Sequence, residues 1–359
     1  MNTGVLRLFG FLVLACTLQA ANAQGPHQNV TPRYKLTLLG PLDPAEIFYA
    51  ADLNNRGELA GTVSFPGRAA LWRKGQIIEL VDPTAGPFFA SGASSLNDRG
   101  DVVGQLTVLS DMTTRWFFWH RGEFIDMGLP FPGSAGSPTH INNRRQILFR
   151  SATESGVARS YVWERGTFTA LEPPPGGDGS AAANALNDFG EVAGAGGTAN
   201  GNRAVLWRDG TVEVLGVLPN TDASRAEDIN NRGVVVGESY DSIFGVIELP
   251  FVWRDGKMAA LPTLNGLPEG LTEARSINDW GQIVGHVTSF MDNEFFAPLL
   301  WQNGAVFELN TLVRDDDPLK PFVRLRTATV INDRGQIQAS GQDSRVPDVH
   351  FAYLLTPVL

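Results

Sequence analysis

The stretch that decides the fold is residues 273–309, EARSINDWGQIVGHVTSFMDNEFFAPLLWQNGAVFEL. An apolar-edged run leads into the turn Asn278–Gly281, and a short strand follows it as far as Gly285. After a loop, a second strand ends at Trp301, and the turn at Asn303-Gly304 leads into a last apolar strand. Short strands separated by tight turns are typical of a small antiparallel sheet.

The same unit recurs along the chain. Its Asn-headed turn occurs at seven positions, separated by 43, 45, 45, 43, 48 and 54 residues. The seven turns begin at Asn54, Asn97, Asn142, Asn187, Asn230, Asn278 and Asn332. A period of this size indicates a repeat architecture in which each unit is one blade-sized sheet. Because the seven units cover nearly all of the 359 residues, we expect one closed domain.

Each unit reads as four short antiparallel strands. In the second unit we place them at residues 93–97, 101–106, 115–120 and 123–128. These lengths are typical of strands and too short for ordinary helices. The unit therefore predicts a four-stranded meander, with its first and third turns at the same end of the sheet.

The first turn of each unit has Asn at its first position and, in six copies, Gly at its fourth. This is the composition of a type I turn followed by a left-handed residue, so backbone geometry accounts for the repeated Asn. In the third copy Arg145 replaces the Gly. We expect that copy to be strained by about 1 kcal/mol or to adopt another turn.

The two ends of the chain complement each other. Residues 36–42 match the last strand of later units, such as Val212–Leu218, so the chain opens with the end of a unit. The seventh unit reaches Ala352–Leu355 and stops before a fourth strand. The sequence therefore predicts an all-β, seven-bladed β-propeller of four-stranded antiparallel blades over residues 33–359, in which the N-terminal strand completes the last blade and removes an open edge.

The composition is that of a globular protein, with 43% hydrophobic and 18% charged residues. The formal net charge of -10 argues against a nucleic acid or an anionic membrane as a partner, because the field of the protein repels phosphate. No run after the N-terminus approaches the roughly 18 apolar residues that a membrane-spanning helix needs. We expect a monomer that does not span a membrane.

Residues 1–23 read as a cleavable signal peptide, and residues 24–32 as a short polar lead-in. Arg7 ends the n-region, an apolar run follows, and Ala21-Asn22-Ala23 has the form of a cleavage site. Lipid attachment at Cys16 is the alternative, which Leu14 fits poorly. We therefore expect a secreted or periplasmic protein whose mature chain lacks cysteine.

The repeats resemble the HAF-type extracellular repeats of bacterial exported proteins. The resemblance lies in Ala274–Gly285, of the form Ala-x-x-Ile-Asn-x-x-Gly-x-Val-Gly, and in Arg203–Trp207, and it spans about residues 34–358. The His-Ala-Phe tripeptide itself is missing, with Arg68 or Arg203 in the place of His. The resemblance implies export and a β-propeller, and it implies no particular activity.

A Trp recurs at one place in six units. Its periodic position at a strand end favours packing between blades over a sugar-stacking platform, and truncation of such a Trp typically costs about 3 to 5 kcal/mol. The residues are Trp72, Trp119, Trp163, Trp207, Trp253 and Trp301. The Asn turns carry too few carboxylates for calcium, and the five His show no paired spacing, so we expect no metal and no cofactor.

Differences between the units indicate where a ligand binds. The loops from second to third strand and between units vary in length, and they share one end of the ring, which we call the irregular face. Charged residues stand near the start of the innermost strands, close to that face and beside loop aromatics such as Tyr240, Phe244 and Phe295. The candidate ligand-binding residues are Asp52, His140, Arg225, Glu227, Asp228, Glu273, Arg275 and Arg326.

Three functions remain open from the sequence. The first is a non-catalytic protein that binds an extracellular saccharide or a protein on the irregular face. The second is a glycan hydrolase or lyase with Asp228 and Glu273 as acid and base, assisted by Arg275 or His140. The third is a structural surface protein, in which the same charges form solvated surface ion pairs.

Overall fold

The chain opens into strands immediately after its N-terminal segment. The structure, a computed structural model, describes residues 31–359 apart from 65–66, 82–87, 111, 129–135, 243–247, 265–269, 290–295 and 359. The predicted signal peptide at residues 1–23, and all but the last two residues of the lead-in, lie outside the described residues. Residues 31–359 form one compact unit.

Strand β1 is Arg33–Leu38. The first blade contains β2 (Phe48–Leu53), β3 (Leu59–Val63), β4 (Arg68–Arg73) and β5 (Gln76–Glu79). The second contains β6 (Phe88–Leu96), β7 (Val102–Val108), β8 (Thr114–His120) and β9 (Glu123–Gly128). The third contains β10 (Ser137–Ile141), β11 (Ile147–Ala152), β12 (Ala158–Glu164) and β13 (Thr167–Ala170). The fourth contains β14 (Ala181–Leu186), β15 (Val192–Thr198), β16 (Gly201–Arg208) and β17 (Thr211–Gly216).

The fifth blade contains β18 (Ala223–Ile229), β19 (Val235–Tyr240), β20 (Glu248–Arg254) and β21 (Lys257–Ala260). The sixth contains β22 (Gly270–Ile277), β23 (Ile283–Ser289), β24 (Phe296–Gln302) and β25 (Ala305–Glu308). A short helix, α1 (Leu309–Leu312), follows it. The seventh blade contains β26 (Val323–Ile331), β27 (Ile337–Asp343) and β28 (Val346–Val358).

Seven four-stranded antiparallel sheets make up the described part of the chain, as the sequence predicts. In six of them the strands follow chain order, and in the seventh β1 pairs with β28 to give the order β1-β28-β27-β26. Leu36 lies opposite Leu355, and Thr37 lies opposite Leu354. The predicted closure of the last blade by the N-terminal strand is therefore confirmed, and the protein is a seven-bladed β-propeller.

The loop between the sixth and seventh blades covers the outer edge of β1. Tyr34 forms a parallel bridge with Val313, and the Arg314 N–H donates to the Tyr34 carbonyl at 3.0 Å. The Leu36 N–H donates to the Asp317 carboxylate at 2.8 Å, and that carboxylate is buried. These bonds satisfy main-chain groups that an edge strand would otherwise offer to another chain.

The recurring Trp residues pack between blades, as predicted. Five of the six are no more than 7% exposed, and Trp163 is half-buried. Trp119 of the second blade shares a hydrophobic cluster with Leu71 of the first. The indole N–H of Trp301 donates to the Pro262 carbonyl at 2.7 Å, so the polar atom of that ring is also satisfied.

The seven Asn residues that head the first turns do more than the predicted turn geometry requires. Asn230 Oδ1 accepts the N–H groups of Arg232 and Val234, both at 3.0 Å, and so builds the turn. Its Nδ2 donates to the main-chain carbonyl of Asn278 in the next blade, at 3.0 Å. The remaining copies repeat this link, and each Asn side chain is at least 95% buried.

The links form a complete circle because Asn332 Nδ2 donates to the Asn54 carbonyl at 2.8 Å, across the junction between the last and first blades. Each blade therefore satisfies a buried carbonyl of its neighbour. We call this set of bonds the asparagine circle. It joins all seven blades at the end of the ring that carries the tight turns, which we call the tight-turn face.

A second circle is formed by the residues that follow these Asn residues. Each main-chain N–H donates to the side-chain oxygen of the equivalent residue in the next blade, for example Asn231 N–H to Asp279 Oδ1 at 2.8 Å. The members are Asn55, Asp98, Asn143, Asp188, Asn231, Asp279 and Asp333. Amide and carboxylate alternate, but seven is odd, so two carboxylates are adjacent at Asp279 and Asp333. Burial, together with the charge of Asp279, raises the pKa of Asp333.

The substitution Asn230→Asp separates the two roles of these Asn residues. Asp keeps the acceptor that builds the turn but replaces the Nδ2 donor with an oxygen facing the Asn278 carbonyl. We expect a loss of about 2 to 4 kcal/mol in the free energy of unfolding, because a buried carbonyl and a buried charge are both left unsatisfied. Urea denaturation at pH 7 measures this loss.

Asn200→Asp, in an exposed turn of the fourth blade, is the matched control and should change the stability by less than about 0.5 kcal/mol. If Asn230→Asp changed the free energy of unfolding as little as this control does, Asn230 would serve only to build its own turn, and the bond to the next blade would add no stability.

Arg145 adopts the strained alternative that the sequence leaves open. Its φ is 64°, and its N–H donates to the Asn142 carbonyl at 3.0 Å, as Gly does in the other copies. Its Nε donates to the carboxylate of Asp101 at 2.8 Å, and that carboxylate is fully buried. Although burial acts to raise the pKa of Asp101, hydrogen bonds from Arg145, Asn97 and His120 lower it overall.

Arg145→Gly relieves the left-handed backbone but removes the cation from a buried carboxylate. We expect a net loss of about 2 kcal/mol in the free energy of unfolding at pH 7. Because the pKa of Asp101 is lowered in the folded state, its stabilisation is present above the unfolded pKa and fades as pH falls. The deficit measured by urea denaturation should therefore shrink below about pH 4.

Arg165→Gly is the control, since Arg165 also has a positive φ of 49° but its side chain is 92% exposed. It should leave the free energy of unfolding unchanged within about 1 kcal/mol. A stabilised Arg145→Gly variant would contradict the role of Arg145.

Candidate functional site

Asp52, His140 and Asp228 occupy the same position in alternate blades, directly before the Leu-Asn or Ile-Asn pair that leads into the first turn. The residues of the first and fifth blades, Asp52 and Asp228, are carboxylates that link neighbouring innermost strands. Asp52 Oδ2 accepts Ser95 Oγ at 2.6 Å, and Asp228 Oδ2 accepts the Ile277 N–H at 2.8 Å. Burial, with a further contribution from the charge of Asp52, raises the pKa of Asp228 to about 7, although the hydrogen bond from Ile277 acts against this shift.

His140 holds the equivalent position in the third blade. Its Nδ1 is buried and has no hydrogen-bond partner among the described residues. Burial lowers the pKa of His140, opposed by the charge of Asp52 and reinforced by that of Arg150. The charge of Asp52 therefore acts on both His140 and Asp228.

A charged network joins the fifth and sixth blades near the irregular face. Arg225 lies opposite Glu238 in the β18–β19 register and donates a hydrogen bond to its carboxyl group, and Arg225 Nε also lies 2.6 Å from Glu227 Oε1. Arg275 Nη1 lies 3.3 Å from both Glu227 Oε2 and Glu273 Oε2, so one guanidinium connects the two blades. Glu273 also lies close to His286 of the same blade.

His286 extends the network in the sixth blade. Its Nε2 lies 3.8 Å from Glu273 Oε2, and burial lowers its pKa, which favours the neutral imidazole. Glu248 adds a fourth carboxyl group, which is close enough for the charges of Glu273, Arg225 and Glu227 to affect its pKa. We call this set the blade 5–6 network: Arg225, Glu227, Glu238, Glu248, Glu273, Arg275 and His286.

Burial favours the protonated form of two of the four carboxyl groups in this network. Glu238 is fully buried, and burial together with the charge of Glu227 raises its pKa to about 9 in spite of Arg225. Burial, and then the charge of Glu273, raises the pKa of Glu248 to about 7. The network therefore offers hydrogen-bond donors from the Glu238 and Glu248 carboxyls and the guanidinium groups, beside carboxyl oxygens that can accept.

Glu238 also has an unused hydrogen-bonding atom. One carboxyl oxygen faces Arg225, and the other, Oε2, is buried without a partner among the described residues. The Arg225 and Arg275 side chains are 41% and 34% exposed, so the charged ends of the network remain accessible to solvent. Buried polar groups are nearly always satisfied in native proteins, so an unsatisfied one at a partly open charged site marks a candidate functional site.

The structure divides the eight candidate residues into three places. Arg225, Glu227, Glu273 and Arg275 meet in the blade 5–6 network, while Asp52, His140 and Asp228 form the group before the Asn turns. Arg326 lies in the seventh blade, where its Nε and Nη2 donate to Gln342 Oε1 at 3.1 and 2.9 Å. Among the aromatics, the Tyr240 hydroxyl accepts from Asn202 at 3.2 Å. Phe244 and Phe295 lie outside the described residues.

Sequence reasoning missed Glu238, Glu248 and His286. Counting outward from the Asn230–Gly233 turn in a regular hairpin pairs Arg225 with Ser239. A bulge between Ala226 and Asp228 shifts the register by one residue and places Arg225 opposite Glu238 instead. The equivalent bulge in the sixth blade places Glu273 opposite His286, where a regular hairpin would pair it with Val287.

No group of three or more His, Cys, Asp or Glu among the described residues is arranged to hold a metal ion. In the same part of the chain, no helix has the length and apolar character needed to cross a membrane.

Comparison with known proteins bears on the fold. No family model and no curated protein matches the sequence. Among solved structures, the chain is similar to a puromycin-hydrolyzing peptidase of Mycobacterium tuberculosis, with a TM-score of 0.52 and 10% identity over 86% of this chain and 52% of that one. It is also similar to TolB from Acinetobacter baumannii, with a TM-score of 0.44 and 13% identity over 84% of this chain and 63% of that one.

A third similar structure is a gluconolactonase from Xanthomonas campestris, with a TM-score of 0.41 and 12% identity over 91% of this chain and 94% of that one. The chain thus spans 63% of the TolB chain and 52% of the peptidase chain. At 10% identity, the likeness to the peptidase structure bears on the fold alone, since one fold supports many functions.

Glu238→Gln tests the protonation of the network. The pKa of Glu238 is about 9 in the folded protein, against 4.5 in the unfolded chain, so the folded state keeps this proton to a higher pH. The free energy of unfolding therefore falls as pH rises between these two values. One such group contributes a slope of up to about 1.4 kcal/mol per pH unit. The free energy of unfolding of the Gln variant should therefore be close to that of the wild type at pH 5. Between pH 5 and pH 9 it should fall less than that of the wild type.

Urea denaturation of both proteins at several pH values measures this difference. A loss of about 3 kcal/mol or more in the variant at pH 5 would indicate instead an ionised Glu238 paired with Arg225.

Proposed function

We propose that this protein is an exported, non-catalytic β-propeller of the HAF-repeat type that binds a saccharide or protein ligand on its irregular face. The blade 5–6 network is the proposed site. Export is supported by the charged, apolar and Ala-Asn-Ala segments within residues 1–23, and the HAF assignment by the repeat motifs. With this leader, we expect the protein in the periplasm or outside the cell.

A hydroxyl-rich saccharide suits the chemistry of this network best. Sugar hydroxyls donate to ionised carboxylates and accept from guanidinium groups, and here the two types alternate within 3.3 Å of each other around Arg275. The observation that carries the proposal is the buried, unpartnered Glu238 Oε2 beside the half-exposed Arg225. A protein ligand would use the same groups through its own polar side chains.

A glycan-cleaving enzyme is the second candidate. It is supported by the raised pKa of Glu248, about 7, close to Glu227 and Glu273, because a carboxyl group that keeps its proton near neutral pH is the usual general acid of glycoside hydrolysis. Asp228 is less suited to this role because its two oxygens accept the N–H groups of Ile229 and Ile277. In a glycan-cleaving enzyme, Glu248 would therefore act with Glu273 as the acid and base pair, in the role predicted for Asp228 from the sequence.

Arg275→Gln tests the proposed site. We expect the purified mature protein to retain at least one saccharide on a glycan array, and the variant to bind that saccharide at least about tenfold more weakly, as for the loss of a charged hydrogen bond. Arg254→Gln is the matched control, since Arg254 is exposed in the Trp253–Gly256 turn of the same ring but on the tight-turn face. It should leave binding unchanged.

Retention of no glycan, or equal weakening by both variants, would contradict a saccharide site at the network. The enzyme candidate is tested on the retained glycan by following the release of reducing ends. Turnover that is lost in Glu248→Gln would favour the enzyme over the binding protein.

A further inference from the structure

A groove of about 1010 Å³ lies on the tight-turn face, between the turns of the first and second blades. Among the described residues that line it, five are basic and one is acidic, although the chain as a whole carries a net charge of -10. These residues are Arg56, Arg73, Lys74, Arg99, Arg121 and Glu58. The groove is therefore a local basic site on an acidic protein.

Two of the arginines converge on the groove. Arg56 Nη2 and Arg73 Nε lie 2.8 and 2.6 Å from opposite oxygens of Glu58. Both guanidinium groups also lie over Gly100, where an added Cβ would be 2.3 Å from Arg56 Nη2 and 3.3 Å from Arg73 Nη2. One carboxylate thus holds two guanidinium groups together and balances only one of their charges.

The other three basic side chains are not balanced. Lys74, Arg99 and Arg121 are exposed, and no carboxylate of the described residues lies within ion-pair distance of them. The groove consequently carries an excess of positive charge. An anionic ligand would meet guanidinium groups from both blades.

The backbone at Lys74 and Arg121 shows that turn geometry does not explain these cations. Both residues have a positive φ, 50° and 51°, which Asn and Asp adopt more readily than Lys or Arg. The fourth and fifth blades have Asp209 and Asp255 at the equivalent position, with φ of 52° and 50°. The same turn thus carries acids on one side of the ring and bases on the other, and the bases are the less favourable choice for the backbone.

The remaining lining of the groove distinguishes among anions. Ile78 is 37% exposed and contributes apolar surface, as do the small exposed parts of Trp72 and Trp119, and Gln336 and Thr356 contribute neutral hydrogen-bonding groups. Apolar surface and neutral polar groups complement a sugar ring, whereas a simple phosphate chain would use only the cations. We propose that the groove binds an acidic oligosaccharide, whose carboxylate or sulfate groups pair with Arg56, Arg99 and Arg121. It would be a second site, on the face opposite the blade 5–6 network.

The double variant Lys74→Asn, Arg121→Asn tests the proposal without endangering the fold, since Asn suits a positive φ. Isothermal titration at low salt should show an oligogalacturonate or a sulfated oligosaccharide binding to the mature wild-type protein. The double variant should bind it at least about tenfold more weakly, and the affinity of the wild type should fall as salt increases. The thermal midpoint of the variant should equal or exceed that of the wild type.

The double variant Asp209→Asn, Asp255→Asn is the matched control, because it changes the same turn position in two other blades, and it should leave binding unchanged. Arg275→Gln should also leave it unchanged, which separates this groove from the site on the irregular face. The proposal fails if no acidic oligosaccharide binds, if a neutral one of equal length binds as tightly, or if Lys74→Asn, Arg121→Asn retains wild-type affinity. Binding of tripolyphosphate but of neither oligosaccharide would also overturn it.

Discussion

The asparagine circle is the interaction on which the rest of the structure depends. A four-stranded blade is too small to bury its own faces, so each must be held against two neighbours in a defined orientation. A buried amide donating to a carbonyl of the next blade fixes that orientation, because leaving either group unpaired is costly. The circle must close, and it does so between Asn332 and Asn54 at 2.8 Å. The β1–β28 pairing then completes the last sheet around the same ring.

Closure also has an electrostatic consequence. The second circle pairs amides with carboxylates, and in a ring of seven members two groups of the same kind must be adjacent. The adjacent pair is Asp279 and Asp333, where burial and the neighbouring carboxylate raise the pKa of Asp333. The cost is confined to one junction, while at the other junctions Asn side chains bridge the carboxylates, as Asn143 does between Asp98 and Asp188 at 3.1 and 2.9 Å.

A rigid ring of this kind leaves other positions free to vary between blades. The positions shared by all seven units hold the blades together, and the residues that differ carry the charge. Near the irregular face they assemble the blade 5–6 network, with four carboxyl groups around Arg225 and Arg275. On the tight-turn face they form the basic groove of the first two blades. The net charge of the chain therefore describes neither surface, since the network mixes carboxyl and guanidinium groups and the groove is locally basic.

The sequence by itself determined the number of blades, the four strands of each, the closing strand and the buried Trp row, because these follow from local periodicity and turn chemistry that repeat seven times. It also identified Arg225, Glu227, Glu273 and Arg275 as outliers from the repeat. Only the tertiary structure decided that Asn230 bonds to the next blade, that Glu238 faces Arg225 across a bulge, and that Lys74 and Arg121 share a groove. These contacts join residues from different strands or blades, and their geometry depends on bulges, inter-blade packing and burial, which no local pattern encodes.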